Sequence, residues 1–428
     1  MKRGLFCFRQ DLRLHDHPAL LNALAENDQL DLVYLFEDRV WCSQTPGRMA
    51  SHRAQFILES LQSLKKNIEK KGGALLFARG TATEVLPRLM QKLGADCCYM
   101  QAHSAHEEKG EEYKLGRLVN LKLVEGSTLI HPDDFSTPVK SFPETFTKFR
   151  KLVEKECKPR TPLPPPPLLR CSVKYSDTLP KITQFSLKKT VWDHRCPFHF
   201  EGGEDAAKQR IISWMWKDDW LRKYKETRNG LLGSLFSSRF SPWLAQGCLS
   251  PRLIYEQIKE YESEREANES TYWLIFELLW RDFFHFLARI HGPLIFLERG
   301  LHPERPPRPQ NLDHKNLFDF WKKGRTKDTF VNANMNELRL TGWMSNRGRQ
   351  NVASYLIHEL GLDWRLGAQW FEAQLTDYDP CSNYGNWLYL SGYGSDPQPN
   401  RVFNLSKQAE IYDPKFAYRK LWTEDRSN

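Results

Sequence analysis

The nine cysteines form no CxxC pair and no Cys/His spacing of the kind that holds zinc, although Cys97 and Cys98 are adjacent. No metal centre is therefore expected, and scattered reduced thiols point to a cytoplasmic compartment. Neither GxGxxG nor GxxxxGKS/T occurs, so no phosphate fingerprint marks a nucleotide site. Asp377, Asp379 and Asn383 lack the EF-hand spacing for calcium. Long apolar runs are missing as well. The most apolar stretch, Tyr272 to Leu297, is interrupted by Glu277, Arg281, Asp282, His285 and Arg289, which excludes a membrane span and reads as buried helix. The opening MKRGLFCFRQDLR meets Arg9 and Asp11 too early for a secretory signal.

Rings and positive charge are abundant. Fourteen Trp and 25 Phe exceed ordinary packing needs and raise the prospect of stacking or electron transfer, with core packing as the plainer use. A formal charge of +9 favours an acidic partner such as nucleic acid. With 428 residues, two domains are expected, each with its own core.

From Gly4 to about Ile130 the apolar runs LFCF, LVYLF, ALLF, CCYM and LKLV alternate with amphipathic helical patterns. This predicts an α/β amino-terminal domain over residues 1–131, a five-stranded parallel sheet covered on both faces and Rossmann-like in outline. Arg9, Asp11, Arg13 and Asp16 follow the first run, where ligands of such sheets bind; ion pairs tying that loop to the sheet are an equal alternative. Residues 132–200 carry Pro138, Pro143, Pro159, Pro162 and the run Pro164 to Pro167, predicting an extended interdomain linker. From 201 to 428 the pattern is all-α.

Four stretches of that helical part carry chemistry. In SSRFSPWLAQGCLSP, Ser237, Ser238 and Ser241 surround Arg239; read alone, they cap a helix, with diphosphate binding as the alternative. Glu277, Trp280 and Arg281 share one helix face, and an ion pair between the two charges is the plainer reading. In TGWMSNRGRQNVASY, Gly342 and Gly348 permit a tight turn or close approach, while Asn346, Arg347 and Arg349 crowd donors at a helix start. In QLTDYDPCSNYGNW, Asp377, Asp379 and Asn383 are either turn formers and caps or readers of a heterocycle edge.

FRQDLRLHDHPAL, EGGEDAAKQRI, YKETRNG, SPWLAQGCLSP, FELLWRDFF, SNRGRQNVAS and YDPCSNYGNW together resemble the photolyase and cryptochrome flavoproteins, and within them the DASH-type cryptochromes, over nearly the whole chain. The resemblance implies FAD as cofactor, held by an all-α FAD-binding domain. Tyr224, Ser237, Ser238, Arg239 and Ser241 would surround its phosphates and ribityl chain, and Glu277 and Arg281 would line the pocket. Asn346, Arg349, Asp377 and Asp379 would contact the flavin or its adenine side, with Asn383 at N5. It further implies light-driven electron transfer into a cyclobutane pyrimidine dimer. Glu277 and Asn346 would bond the pyrimidines, Trp280 and Tyr389 would stack on them, and Arg347 would hold phosphate. Gln350 and Tyr389 follow the DASH pattern, which implies single-stranded DNA as substrate. RNA or duplex DNA are expected only as non-specific partners, and a monomer is expected.

Trp387 and Trp364 match two members of the family's electron-transfer chain. The third is expected between Leu301 and Phe320, where no Trp occurs, and Trp321 is the stand-in. In GRTKDTFVNANMNEL, Thr329 and Asn332 replace the family's Pro and Asp. For a folate-type antenna, 5,10-methenyltetrahydrofolate, Glu107 and Glu108 are the candidate contacts. A signalling receptor is the competing function. The end of the chain at Asn428, without the long tail many such receptors carry, favours repair.

Overall fold

The computed structural model describes residues 1–41, 47–308, 311, 313–398 and 401–423. Each predicted apolar run is a strand: β1 (Arg3–Phe8), β2 (Gln29–Phe36), β3 (Leu75–Arg79), β4 (Cys97–Gln101) and β5 (Leu121–Val124). All pair in parallel in the order β3-β2-β1-β4-β5, with Phe6 opposite Leu32 on one side and Tyr99 on the other. The central strands are mostly apolar because helices cover both faces, the buried Asp31 of β2 accepting from Ser172, whereas the edge strands β3 and β5 are only partly buried. Helices α1 (Pro18–Glu26), α2 (Ser51–Lys70), α3 (Ala82–Leu93) and α4 (His106–Gly116) connect the strands.

The loop after β1 lies where the strand order reverses; of its four charges Arg13 and Asp16 hold the two halves of the chain together, while Arg9 donates to the Gln101 carbonyl of β4 and pairs with Glu112, and Asp11 pairs with His17. Arg13 donates to the Gly247 carbonyl at 2.9 Å, and Asp16 receives a two-pronged contact from Arg252 at 2.8 Å. The ion-pair reading holds for Arg9, whose tie runs to the sheet domain, and for Asp16, whose partner Arg252 lies in the helical part.

In the segment predicted as extended linker, Phe146, Phe149 and Val153 supply a buried stripe to a helix, α5 (Phe146–Glu156). The flanking Pro143 and Pro159 masked it. The run Pro164 to Pro167 has no helix or strand, as expected.

Beyond Val124 no strand occurs among the described residues. The main helices are α6 (Glu204–Ile211), α7 (Pro251–Glu264), α8 (Glu269–His291), α9 (His314–Lys322), α10 (Thr329–Thr341), α11 (Asn346–Ser354), α12 (Trp364–Gln374), α13 (Pro380–Ser391), α14 (Leu405–Tyr412) and α15 (Ala417–Thr423). Their starts are written locally: Asn268 accepts from Ser270 and Thr271 N–H to open α8, and Asp328 from Phe330 and Val331 N–H to open α10. Asn332 accepts from Thr326 N–H at 2.7 Å, so the departure from the family's Asp still closes this loop.

The last helix docks through a buried carboxyl. Tyr418 Oη donates to Glu337 at 2.6 Å, and burial pushes the Glu337 carboxyl up to about 7. A folded-state pKa above the unfolded value means the stabilising contribution is whole below about pH 4.5 and is lost as pH rises toward 7, by about 3 kcal/mol. Glu337→Gln should flatten this slope and raise the urea midpoint at pH 8; an unchanged pH profile would refute the assignment.

Candidate functional site

The stretch from Thr341 to Tyr355 turns between two helices. Gly342 ends α10 with φ +70°, and Ser345 caps α11 by accepting the Gly348 N–H at 3.0 Å. Gly348 is needed for closeness: a Cβ there would stand 2.0 Å from Asn334 Oδ1, inside the core. Gly348→Ala should therefore cost roughly 1–3 kcal/mol in chemical unfolding. This turn places Asn346 and Arg349 on the wall of a cavity of about 280 Å³ that is also lined by Tyr224, Ser237, Ser238, Arg239 and Ser241, by Glu277 and Arg281 of α8, and by Gln350. Asp377, Asp379, Asn383 and Trp387 also line it, among apolar residues such as Leu278, Trp343 and Phe371.

The serines do not cap. The short turn Ser241–Ala245 has Phe240 at its N-cap with no side-chain bond, so the capping reading fails. Instead Ser241 Oγ donates to Asp377 Oδ2 at 2.6 Å, and the Ser237 and Ser238 carbonyls accept from Arg210. Arg239 is held at φ +57° with its guanidinium 4.0 Å from the Trp343 ring centre. Its Nη2 donates to the Gly233 carbonyl, while Nε and Nη1 are buried with no acceptor among the described residues.

On α8, Glu277 and Arg281 do not pair with each other. Glu277 meets Arg228 at 2.5 Å, and Arg281 donates to the Ser127 carbonyl at 2.6 Å. Burial pushes the Glu277 carboxyl up, with Arg228 opposing. Sequence reasoning assigned no role to Arg228, although YKETRNG contains it, because 49 residues separate it from its partner.

Arg349 bridges Met344 O at 2.9 Å and Asp377 Oδ2 at 2.7 Å, leaving Asp377 Oδ1 unpartnered; Gln350 Oε1 is likewise buried without a donor. Asn383 donates Nδ2 to the Ala368 carbonyl at 3.0 Å, which fixes its amide plane. Asp379 accepts the Ser382 N–H at 2.7 Å as cap of α13, and its other oxygen lies 3.2 Å from His285 Nε2. Burial alone would raise this carboxyl; His285 outweighs it and holds Asp379 well below the usual range. His285 was missed, although it continues the Glu277 and Arg281 face at helical spacing.

His285, Asp379 and Cys381 offer ligand atoms within 4.8 Å of one another, all buried, a cluster that residue spacing did not foretell. Both Asp379 oxygens already have partners, however, and burial pushes the Cys381 thiol well up, which keeps it protonated. The trio is built as a buried histidine–carboxylate pair beside a thiol.

Four expected residues, Arg347, Trp280, Tyr389 and Trp364, do not line the cavity. Arg347 donates to Asn229 at 3.2 Å with its guanidinium 4.9 Å from the Tyr412 ring centre. Trp280 has one face covered by Phe146 of α5, stacked at 3.8 Å and 9°, and meets Tyr389 edge-on at 5.7 Å. Trp364 is buried, donating to the Glu298 carbonyl at 2.9 Å. Trp321 is fully buried and contacts Trp387 directly at 6.3 Å, so it branches from the first ring of the expected chain and does not extend it as a third step.

A second cavity, near 80 Å³, lies at the carboxyl ends of β1 and β2 and is lined by Glu108. Glu107 is gripped by Arg39 at 2.5 Å and Arg48 at 2.8 Å, which leaves Glu108 as the open carboxyl of the two. With less than a third of the first cavity's volume and with Arg39, Arg48, Glu107 and Glu111 paired among themselves, this site does not fit a folate ring as arranged.

The first cavity does fit FAD. Unpartnered Arg239 donors suit a diphosphate, and unpartnered Asp377 and Gln350 acceptors suit the N–H edge of a heterocycle. Comparison with known proteins agrees. Residues 273–427 match the FAD binding domain of DNA photolyase, and residues 5–167 match the DNA photolyase family. Cryptochrome DASH of Xenopus laevis is 44% identical over 99% of this chain and 83% of that protein. The crystal structure of a Synechocystis cryptochrome superposes with a TM-score of 0.93 at 42% identity, covering 99% of this chain and 88% of the other. A class III photolyase from Agrobacterium tumefaciens does so at 0.83 and 28%, covering 99% and 86%. Fold, cavity and kinship together make this chain a member of the photolyase/cryptochrome family, with an α/β amino-terminal domain and a helical FAD-binding domain, similar throughout to proteins named cryptochrome DASH.

Proposed function

We propose that the protein is a blue-light-driven photolyase that splits cyclobutane pyrimidine dimers, preferentially in single-stranded DNA. The observation that carries this reading is one cavity wall holding both the unpartnered Arg239, Asp377 and Gln350 atoms and, beside them, the ionisable Glu277 and the exposed Asn346. Reduced FAD bound in this cavity would supply reversible one-electron chemistry to the lesion. Tyr224, the Ser237 to Ser241 segment and Arg239 hold the diphosphate side. Arg349 and Asp377 balance charge at the ring edge, and Asn383, neutral and pinned to Ala368, brings no carboxylic proton to N5.

Glu277 and Asn346 hold the pyrimidines. The Glu277 carboxyl, raised by burial, is suited to a hydrogen bond with a pyrimidine carbonyl. Trp280 stacks through the face that Phe146 leaves free, with Tyr389 beside it, and Arg347 turns from Asn229 to a phosphate. Extruding the lesion from a duplex costs a few kcal/mol that a single strand does not require, so single-strand repair is expected to exceed duplex repair by about tenfold or more. Equal rates on matched single-stranded and duplex oligonucleotides would remove the single-strand preference.

A further inference from the structure

We propose that Phe146, seated by a clasp between α5 and α8, is a positioning residue of the substrate site: it fixes the plane of Trp280 and so makes the site select a dimer over undamaged bases. The proposal rests on the reading of Trp280 as a stacking platform. The two rings lie face to face, with centres 3.8 Å apart and planes at 9°. Aromatic pairs left to themselves favour offset or edge-on arrangements with centres about 4.5–7 Å apart, so the close stack is imposed by what surrounds it.

Phe146 is the first residue of α5 and is buried, with Phe276 and Phe283 meeting it edge-on at 5.0 and 5.8 Å. One turn further along α5, Arg150 donates to the Tyr272 hydroxyl of α8 at 2.6 Å, and that hydroxyl donates in turn to Glu154. A ring seat and a polar clasp thus hold α5 to α8. Trp280 itself is part-exposed, one turn from Glu277 on the cavity wall. Phe283 and Tyr389 meet it edge-on at 5.7 Å, and Phe284 tilts against it at 5.6 Å. The indole has one face left for a base and one plane in which to offer it.

That plane matters because the two ligands differ in rigidity. In a cyclobutane dimer the pyrimidines are locked to each other, so they gain from a platform already set at one angle. Neighbouring undamaged bases move separately and adjust to a mobile ring as well as to a fixed one. A preorganised Trp280 therefore adds affinity for the rigid ligand alone.

The test uses flavin-loaded protein in the dark and compares, by fluorescence anisotropy, the Kd for a single strand with one pyrimidine dimer and for the same strand undamaged. Phe146→Leu keeps an apolar side chain but not the flat ring. It is expected to weaken dimer binding about tenfold, within what one base gains on one aromatic, and to leave undamaged-strand binding and flavin content unchanged. Under blue light the same variant should raise KM for the dimer strand and keep kcat. Phe146→Tyr, which keeps the ring, should retain the discrimination, and Tyr272→Phe, which opens the clasp without touching the stack, should lose part of it. Equal discrimination in Phe146→Leu and the native protein overturns the proposal, and so does a parallel loss of both affinities and of flavin, which marks Phe146 as packing alone. Should Phe146→Leu fail to fold, Tyr272→Phe decides: undiminished discrimination there overturns the proposal. A native protein that binds both strands alike refutes the dimer reading itself, and this inference with it.

Discussion

Asp16→Ala will destabilise the protein by roughly 3–5 kcal/mol, the cost of removing one partner from a buried ion pair. Asp16 is fully buried and sits at φ +44° in the loop after β1. Its two oxygens take Arg252 Nε and Nη2 at 2.8 Å each, the Ser250 hydroxyl, and the Leu163 N–H at 3.1 Å. One carboxylate thus joins the α/β domain, the proline-rich segment and α7. Its loss strands the Arg252 guanidinium, which is nearly as buried. Burial alone would raise the Asp16 carboxyl, and Arg252 with Arg13 outweigh it, so its folded pKa lies below the ordinary value. That stabilisation is present above the unfolded pKa and fades as pH falls through the folded one. Urea unfolding of Asp16→Ala near pH 7 checks the prediction; a loss under about 1 kcal/mol would place Asp16 among the weak surface pairs.

Glu277→Ala should retain flavin and slow dimer repair by about tenfold to a hundredfold, the equivalent of one hydrogen bond to a charged or strongly polar group at the reacting centre. Glu277 touches Arg228 and the cavity but makes no bond to Asp377, Arg349 or Arg239, the groups that fit the cofactor. The change therefore falls on the lesion side. Glu277→Gln should recover part of the rate, because an amide still bonds a pyrimidine edge, while Arg228→Ala should leave intermediate activity. Measured flavin content separates this outcome from simple loss of cofactor. Unchanged repair in Glu277→Ala would show that Glu277 does not touch the lesion.

How much of this was legible in the chain depends on how local each signal is. The five strands were readable because a sheet covered on both faces forces unbroken apolar runs. Helix α5 was hidden because Pro143 and Pro159 dominate the composition around it, while its evidence, Phe146, Phe149 and Val153, is only three residues. Most cavity residues lie in four short motifs of the helical part, so the sequence pointed to them; their bonding did not follow. Glu277 and Arg281 sit at ideal pairing distance on one helix yet find partners at Arg228 and Ser127, which no spacing rule reaches. Ser241 looked like a cap and instead joins Asp377 across 136 residues. His285 was overlooked because a histidine in an apolar helix is ordinarily packing; only the approach of α13 gives it the Asp379 carboxylate.

The central claim, light-driven repair by a flavin in the first cavity, is tested most directly with purified protein, chemically reduced and given a single-stranded oligonucleotide containing one pyrimidine dimer. The loss of dimer is followed under blue light and in the dark. Dimer is expected to be lost in the light alone, at a rate that scales with bound flavin. Flavin confirmed bound, with no loss of dimer in the light, would contradict repair and leave the signalling receptor as the function of this site.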